Sequence, residues 1–299
     1  MRILITGGGG FLARQLVPHL AGHEVVRVDL AAAPDVLAHD LTAGTGDLFD
    51  RPFDAIIHLA AIVSSEAEAD LHKGQRVNID ATRALLDAAA ARGNRPVFLF
   101  ASSVAVFSAT RNAVLHEDTQ PLPLSSYGTQ KVIGEFLVRD YTRRGLVAGR
   151  ALRFPTIVVR PGRPNAAASS FASSIIREPL GGEPAILPVA RDQRLHVLSP
   201  AGAAAAMVHA LGLSEEEIGT ATTITLPGLS VSVDEMIASL ARHGGDPALI
   251  RHAPDPAIER IVATWPGGIE TPRALALGFR AEPDFDAVLR ASLPLLARV

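Results

Sequence analysis

The sequence predicts an α/β protein, a doubly wound parallel sheet with a small C-terminal α/β lobe. Three observations lead there. Short, β-branched apolar runs alternate with stretches of helical periodicity up to about residue 160. The first of those runs ends at four consecutive glycines. At 299 residues, 48% hydrophobic and 20% charged, the chain has the composition of a packed globular protein and room for one large domain or a domain with a smaller lobe.

Taken in order, "RILIT" (2–6) reads as a buried parallel strand and "FLARQLVPHLAG" as a helix stopping at Gly22. "EVVRVDL" (24–30) is a second strand, ending in Asp29, and "DAIIHLAA" (54–61) and "PVFLFASS" (96–103) are two more. Between them "QRVNIDATRALLDAAAARG" (75–93) predicts a long helix ending at glycine. "SYGTQKVIGEFLVRDYTRRG" (126–145) predicts another helix and "GRALRFPTIV" (149–158) another strand. After residue 160 the rhythm changes. "RPGRPNAAASSFASS" is a loop entering a helix; "RLHVLS" (194–199) and "TATTITLPG" (220–228) resume strands around the helix "PAGAAAAMVHALG". Ser232 and Glu235 fit a capping box at the start of the next helix. The last sixty residues are irregular and contain prolines.

The net charge of -3 gives no electrostatic reason to expect nucleic acid or an anionic membrane as partner. The chain has no cysteine, which excludes disulfides, thiolate metal sites and cysteine nucleophiles. No apolar run approaches the roughly 20 residues of a membrane span. No signal-peptide core precedes the glycines, so a cytoplasmic location is expected. No histidine–carboxylate cluster has metal-ligand spacing, and no metal is expected.

A strand that turns into a helix through glycines directs bare backbone N–H groups and a helix N-terminus at one point, which is a phosphate site. The spacing here is Gly7-x-x-Gly10-x-x-Ala13 or Gly8-x-Gly10-x-x-Ala13, with Phe11 and Leu12 opening the helix. Asp29 closes the second strand, where a carboxylate accepts both hydroxyls of an adenosine ribose and repels a 2′-phosphate. The combination favours NAD over NADP. Asp40, followed by Leu41, is a candidate for the adenine edge or an ordinary turn acid.

Tyr127 and Lys131 lie four apart and so share one helix face. They are one of two tyrosines and one of two lysines; every cationic side chain other than Lys73 and Lys131 is an arginine. Tyrosine ionises near pH 10, and an adjacent ammonium favours the phenolate. Lysine, a compact charge, can also hold a ribose hydroxyl. Ser102 and Ser103 end a buried strand, where ligands bind in such sheets. One loop separates Ser103 from Tyr127.

With these segments in place the chain resembles the extended short-chain dehydrogenases/reductases, the NAD-dependent epimerase/dehydratase family. The matching elements are "TGGGGFLA", the "DL" at 29–30, "HLAA" (58–61), "VNIDATRALLDAA", "ASSVAVF", "YGTQK" and "RFPTIVVRPG". The resemblance implies a Rossmann-type NAD-binding domain over residues 1–160, with 194–227 returning to it, and a substrate-binding lobe formed by 161–193 and 228–299. It makes Ser103 the catalytic serine, Tyr127 the acid/base and Lys131 its partner. Ser102 would lie near the nicotinamide, Leu59, Ala60, Ala61 and Asn78 would line the cofactor, and Pro155, Thr156 and Ile157 would sit against the nicotinamide. Asn78 also reads as a helix-start cap. Members of the family are often homodimers.

The sugar-nucleotide dehydratases of the family carry an acidic pair after the serine; Val104 and Ala105 stand there instead, which argues against dehydration. "PLSSYGTQK", "RPGRPNAAASSFASSIIREPLGG", "LPGLSVSVDEM" and "DPAIERIVATWPGGIETPRALALGF" resemble a narrower group that oxidises the C2 hydroxyl of D-erythronate, a four-carbon sugar acid, to a 2-keto acid. A carboxylate calls for an arginine, and Arg163 or Arg194, with Asn165 nearby, is the expected partner. His196 and Trp265 read as core residues. Two other readings are a nucleotide-sugar epimerase of the same family and a non-catalytic NAD-binding protein.

Overall fold

The structure, a computed structural model, describes residues 1–162 and 168–296. In chain order the first half comprises β1 (Arg2–Thr6), α1 (Phe11–Leu16), β2 (Glu24–Asp29), β3 (Leu37–Ala38), β4 (Ala55–His58), α2 (Ser64–Ala69), α3 (Leu71–Gly74), α4 (Ala81–Ala91), β5 (Val97–Ser103), β6 (Val114–His116), α5 (Ser126–Arg143) and β7 (Ala148–Phe154). The second half adds β8 (Thr156–Ile157), α6 (Ser170–Leu180), β9 (Ala185–Leu187), β10 (Arg194–Leu198), α7 (Pro200–Gly212), α8 (Glu215–Ile218), β11 (Thr223–Thr225), β12 (Leu229–Ser232) and α9 (Val233–Arg242). It closes with β13 (Ile250–His252), α10 (Pro256–Val262), β14 (Gly268–Glu270), α11 (Pro272–Ala276) and α12 (Phe285–Leu296).

Two compact units divide the chain. The first holds residues 1–106, 125–153 and 204–225. Its seven-stranded sheet has the order β11-β7-β5-β4-β1-β2-β3, and β1 runs parallel to both β2 and β4. The order reverses at β1, which places a ligand crevice at the carboxyl ends of β1 and β4. The runs that read as apolar are buried on both faces: β1 and β4 contribute Ile3, Leu4, Ile5, Ile56 and Ile57 at 0% exposure. Leu85 and Leu86 of α4 and Phe98 and Phe100 of β5 close the core on one side of the sheet. Burying such a side chain contributes on the order of 1.5–3 kcal/mol. Gly134 of α5 lets the helix lie against β5, since an added Cβ would come within 2.8 Å of the Phe100 ring.

The second unit holds residues 107–124, 154–203 and 226–299. Here β10 lies between β8 and β12, β9 pairs with β13, and β6 pairs with β14. The core joins Phe171, Ile175 and Ile176 of α6, Met236 and Leu240 of α9, and Val288 and Leu289 of α12, with Trp265 packed against it.

The division differs from the expected one at two places. Strand 194–199 does not return to the large sheet: Val197 and Leu198 pair with Thr156 and Ile157, so β10 belongs to the second unit. Residues 107–124 join it too, because β6 finds its strand partner at 268–270. The predicted strand 149–158 breaks at Pro155, which has no N–H to give a ladder, and its last residues pair elsewhere. The helix from 75 begins as a π turn over Gln75–Asp80 before α4. The capping box of Ser232 and Glu235 is formed in full at the start of α9. Among the described residues no helix is long and apolar enough to cross a membrane.

Candidate active site

At the end of β1, Gly7 has φ +67°, and a Cβ there would lie 2.8 Å from the Ala60 nitrogen. Only glycine admits both the turn and the close approach of the loop after β4. No side chain caps the first turn of α1, so the amides of Phe11 and Leu12 are the donors a diphosphate would meet. Asp29 faces the same turn: its Oδ2 accepts from Gly9 N at 3.0 Å and its Oδ1 from Leu30 N at 2.7 Å. A bare glycine cradle with a carboxylate at its rim fits an NAD-type dinucleotide. Asp40 is engaged differently. Its Oδ1 accepts from the Thr42 amide and hydroxyl, capping a short turn that contains Leu41.

The loop holding Leu59, Ala60 and Ala61 is fixed by two buried networks. The Thr82 hydroxyl donates to the Asn78 carbonyl at 2.9 Å, so its oxygen accepts from His58 Nε2–H at 2.8 Å. The other ring nitrogen, Nδ1, then accepts from the Thr6 hydroxyl at 2.6 Å, and Thr6 Oγ1 accepts from Ala60 N. Burial and the nearby Lys131 push His58 down to about 3, so the ring is neutral. In the second network Asn78 Oδ1 accepts from Ile62 N, while Nδ2 donates to Ile62 O and to Gln130 Oε1. Asn78 is thus a clamp on this loop, held inward by the π turn, and not a helix cap.

Tyr127 and Lys131 sit on one face of α5, which Ser125 caps through the Gly128 amide. Lys131 is 3% exposed and donates to Ala101 O at 2.7 Å. Its ammonium lies 4.8 Å from the Phe100 ring centroid and 5.4 Å from that of Tyr127. Burial pushes the Tyr127 phenol up to about 12, with the neighbouring Ser103 hydroxyl pulling the other way. Burial brings Lys131 down to about 8, opposed by Glu135. The expected lowering of the phenol by Lys131 is therefore not what the protein alone displays: the ammonium stands over the ring, and desolvation of the phenolate prevails. Ser103 Oγ accepts from Ala105 N, whereas Ser102 turns inward and donates to Glu135 at 2.5 Å.

Ser103, Tyr127, Lys131, the glycine turn and Asp29 all belong to the first unit; Pro155, Ile157 and Arg194 belong to the second. Arg194 directs its guanidinium to Ser230, through Oγ and the carbonyl, and to Glu235 at 3.4 Å. Arg163 and Asn165 lie outside the described residues. His196 is a core residue at 3% exposure. Among the described residues no three histidine or carboxylate side chains gather to hold a metal ion. The residues that sequence reasoning missed are Thr6, His58, Thr82, Gln130, Glu135 and Arg153. Glu135 had a signal, since it follows Lys131 by four on the face already marked; Arg153 lies in a run that reads as a buried strand.

A parallel sheet with a glycine cradle, an acid closing β2 and a Tyr–Lys helix defines a nucleotide-dependent oxidoreductase of the Rossmann type. Residues 3–221 match the NAD dependent epimerase/dehydratase family, and the chain belongs to it, within the extended short-chain dehydrogenases/reductases; NAD is its cofactor. It is 46% identical over 97% of both chains to the D-erythronate dehydrogenase of Cupriavidus necator. It is 40% identical to that of Haemophilus influenzae, over 97% of this chain and 98% of the relative. A crystal structure from Agrobacterium tumefaciens, described as a nucleoside-diphosphate-sugar epimerase, superposes with a TM-score of 0.92 at 40% identity, over 98% of this chain and 94% of that one. Relatives that run the whole length make the chain an NAD-dependent dehydrogenase.

Proposed function

We propose that the chain oxidises the C2 hydroxyl of D-erythronate to the 2-keto acid. The observation that carries this reading is the 46% identity, end to end, with a D-erythronate dehydrogenase. NAD, when bound, supplies the hydride acceptor. Tyr127 takes the hydroxyl proton as the C2 hydride departs, and Ser103 donates a hydrogen bond to the developing carbonyl oxygen. Positioned proton transfer of this kind typically contributes about 10²–10⁴-fold. Lys131 holds a ribose hydroxyl, and its charge, with that of the nicotinamide ring, favours the phenolate.

Gly7, Gly10, Phe11 and Leu12 receive the diphosphate and Asp29 the adenosine ribose. Leu59, Ala60 and Ala61, fixed through Asn78, form the wall beside them, and Ser102 supports Ser103 from behind. Asp40 and Leu41 are assigned to the adenine edge, and Pro155 and Ile157, on the family resemblance, to the nicotinamide. The substrate carboxylate is assigned to Arg163 with Asn165. Arg194, already held by Ser230 and Glu235, is the weaker candidate. The reading includes a homodimer, on the family resemblance, and a cytoplasmic location.

The similarity to the Agrobacterium protein keeps a nucleotide sugar as the second candidate substrate. Tyr127→Phe tests the chemistry: turnover should fall at least about 10²-fold with NAD still bound. Unchanged turnover would remove Tyr127 from the reaction.

A further inference from the structure

We propose that the buried Glu135–Arg153 ion pair is a positioning device that sets the charge of Lys131 and ties it to the serine-bearing end of β5. The proposal rests on the reading of Tyr127 and Lys131 as the proton-transfer pair, and extends it to two residues on the far side of the lysine.

Tyr127, Lys131 and Glu135 follow one another at intervals of four, so α5 presents them as a single row. Arg153 of β7 grips Glu135 with two bonds, Nε to Oε1 at 2.9 Å and Nη2 to Oε2 at 2.7 Å. The two side chains are 9% and 5% exposed. Ser102 donates its hydroxyl to the same Oε1 at 2.5 Å, and the next residue on β5 is Ser103. One carboxylate therefore joins three elements: the helix that carries Tyr127 and Lys131, the strand that delivers Ser103, and the strand beyond it. A single backbone N–H would have held a structural glutamate; a fork of arginine donors plus a serine fixes the position of this one.

The groups facing Lys131 are few. β5 offers the Ala101 carbonyl and the Phe100 ring, and β4 offers His58, which is neutral. On α5 itself stand Tyr127 and Glu135, with Arg153 of β7 behind the glutamate. The π turn contributes the neutral Asn78, bonded to Gln130, while its charged Arg76 and Asp80 are exposed. The charged groups of α2, α3 and α4 are solvent-facing: Glu66 pairs with Lys73, Glu68 accepts from Ser126 N, and Asp87 meets Tyr141. Among the described residues Glu135 is thus the anion that opposes the burial driving Lys131 toward neutrality, and the paired Arg153 should offset part of its field.

The charge signs give a test that a merely structural pair would not pass. The chain has two lysines, Lys73 and Lys131, so lysine labelled with carbon-13 at Cε gives two NMR signals, and Lys131→Met assigns them. In the full-length wild type Lys131 should titrate near pH 8. Glu135→Gln should move it down by about one pH unit and Arg153→Met, which stands behind the glutamate, up by about half a unit, with the double variant between the wild type and Glu135→Gln. The alkaline limb of kcat/KM should move in the same order, so that at pH 8 Glu135→Gln loses about fivefold while at pH 6 it is nearly unaffected. Lys73 should not move. Shifts of the same sign in the two single variants, or none, would overturn the proposal. If Glu135→Gln does not fold, Arg153→Met and the charge-neutral double variant decide it by the same signs. The Tyr127→Phe assay stands apart: full activity there would defeat the proton-transfer reading and leave the lysine titration to be judged alone.

Discussion

Acidification should destabilise this protein through two histidines that its core keeps neutral. His58 is 1% exposed and His196 3%, and burial holds them down to about 3 and about 4. Both folded values lie below the unfolded one, near 6.5. Stability is then fully present above pH 6.5 and is lost as pH falls toward the folded values, because only the unfolded chain takes up the protons. Between pH 7.5 and pH 5 the unfolded state gains RT ln[(1 + 10^1.5)/(1 + 10^-1)], about 2 kcal/mol for each histidine and about 4 kcal/mol for the two. The carboxylates held low, such as Glu217 and Asp286, start from unfolded values of 4.5 and 3.8, so most of their contribution is lost below this window. Urea unfolding at pH 7.5, 6 and 5 measures the loss. His58→Gln keeps a donor toward Thr82 and removes one titrating ring, so its loss over the same range should be about 2 kcal/mol, from a lower starting stability. A stability that is flat from pH 7.5 to pH 5, or an unaltered slope in His58→Gln, would refute the assignment of His58 as a buried neutral ring.

Other outcomes follow from single contacts. Asp29→Ala should relax the preference for NAD over NADP, read as the ratio of kcat/KM for the two cofactors. Gly7→Ala should weaken NAD binding, measured by fluorescence titration, because the Cβ meets the Ala60 nitrogen and φ is +67°. Gly134→Ala should cost about 1–3 kcal/mol in urea unfolding, by forcing the Phe100 ring off its place beneath Lys131.

The large sheet was legible because its strands β1, β4 and β7 are buried on both faces and its glycines and Asp29 stand where a strand ends. Tyr127 and Lys131 were legible from their spacing. The π turn that aims Asn78 inward was not, since "QRVNID" has ordinary helical composition and its geometry comes from the loop that Asn78 clamps. Nor was the fate of β10: "RLHVLS" alternates like any strand, and only its pairing with Thr156 and Ile157 decides which sheet receives it. Arg194 was expected on the substrate because an isolated arginine invites an anion; its partners Ser230 and Glu235 lie 36 and 41 residues away, out of reach of local pattern. The phenol's high value was hidden for the same kind of reason, since desolvation depends on what covers a side chain and not on its neighbours in sequence.

The most direct measurement of the central claim is net NADH formation by the purified protein, with D-erythronate set against a panel of sugar acids and nucleotide sugars. The account predicts stoichiometric NADH and a 2-keto acid from D-erythronate, abolished in Tyr127→Phe. Conversion of a nucleotide sugar without net NADH, and no turnover of D-erythronate, would contradict it.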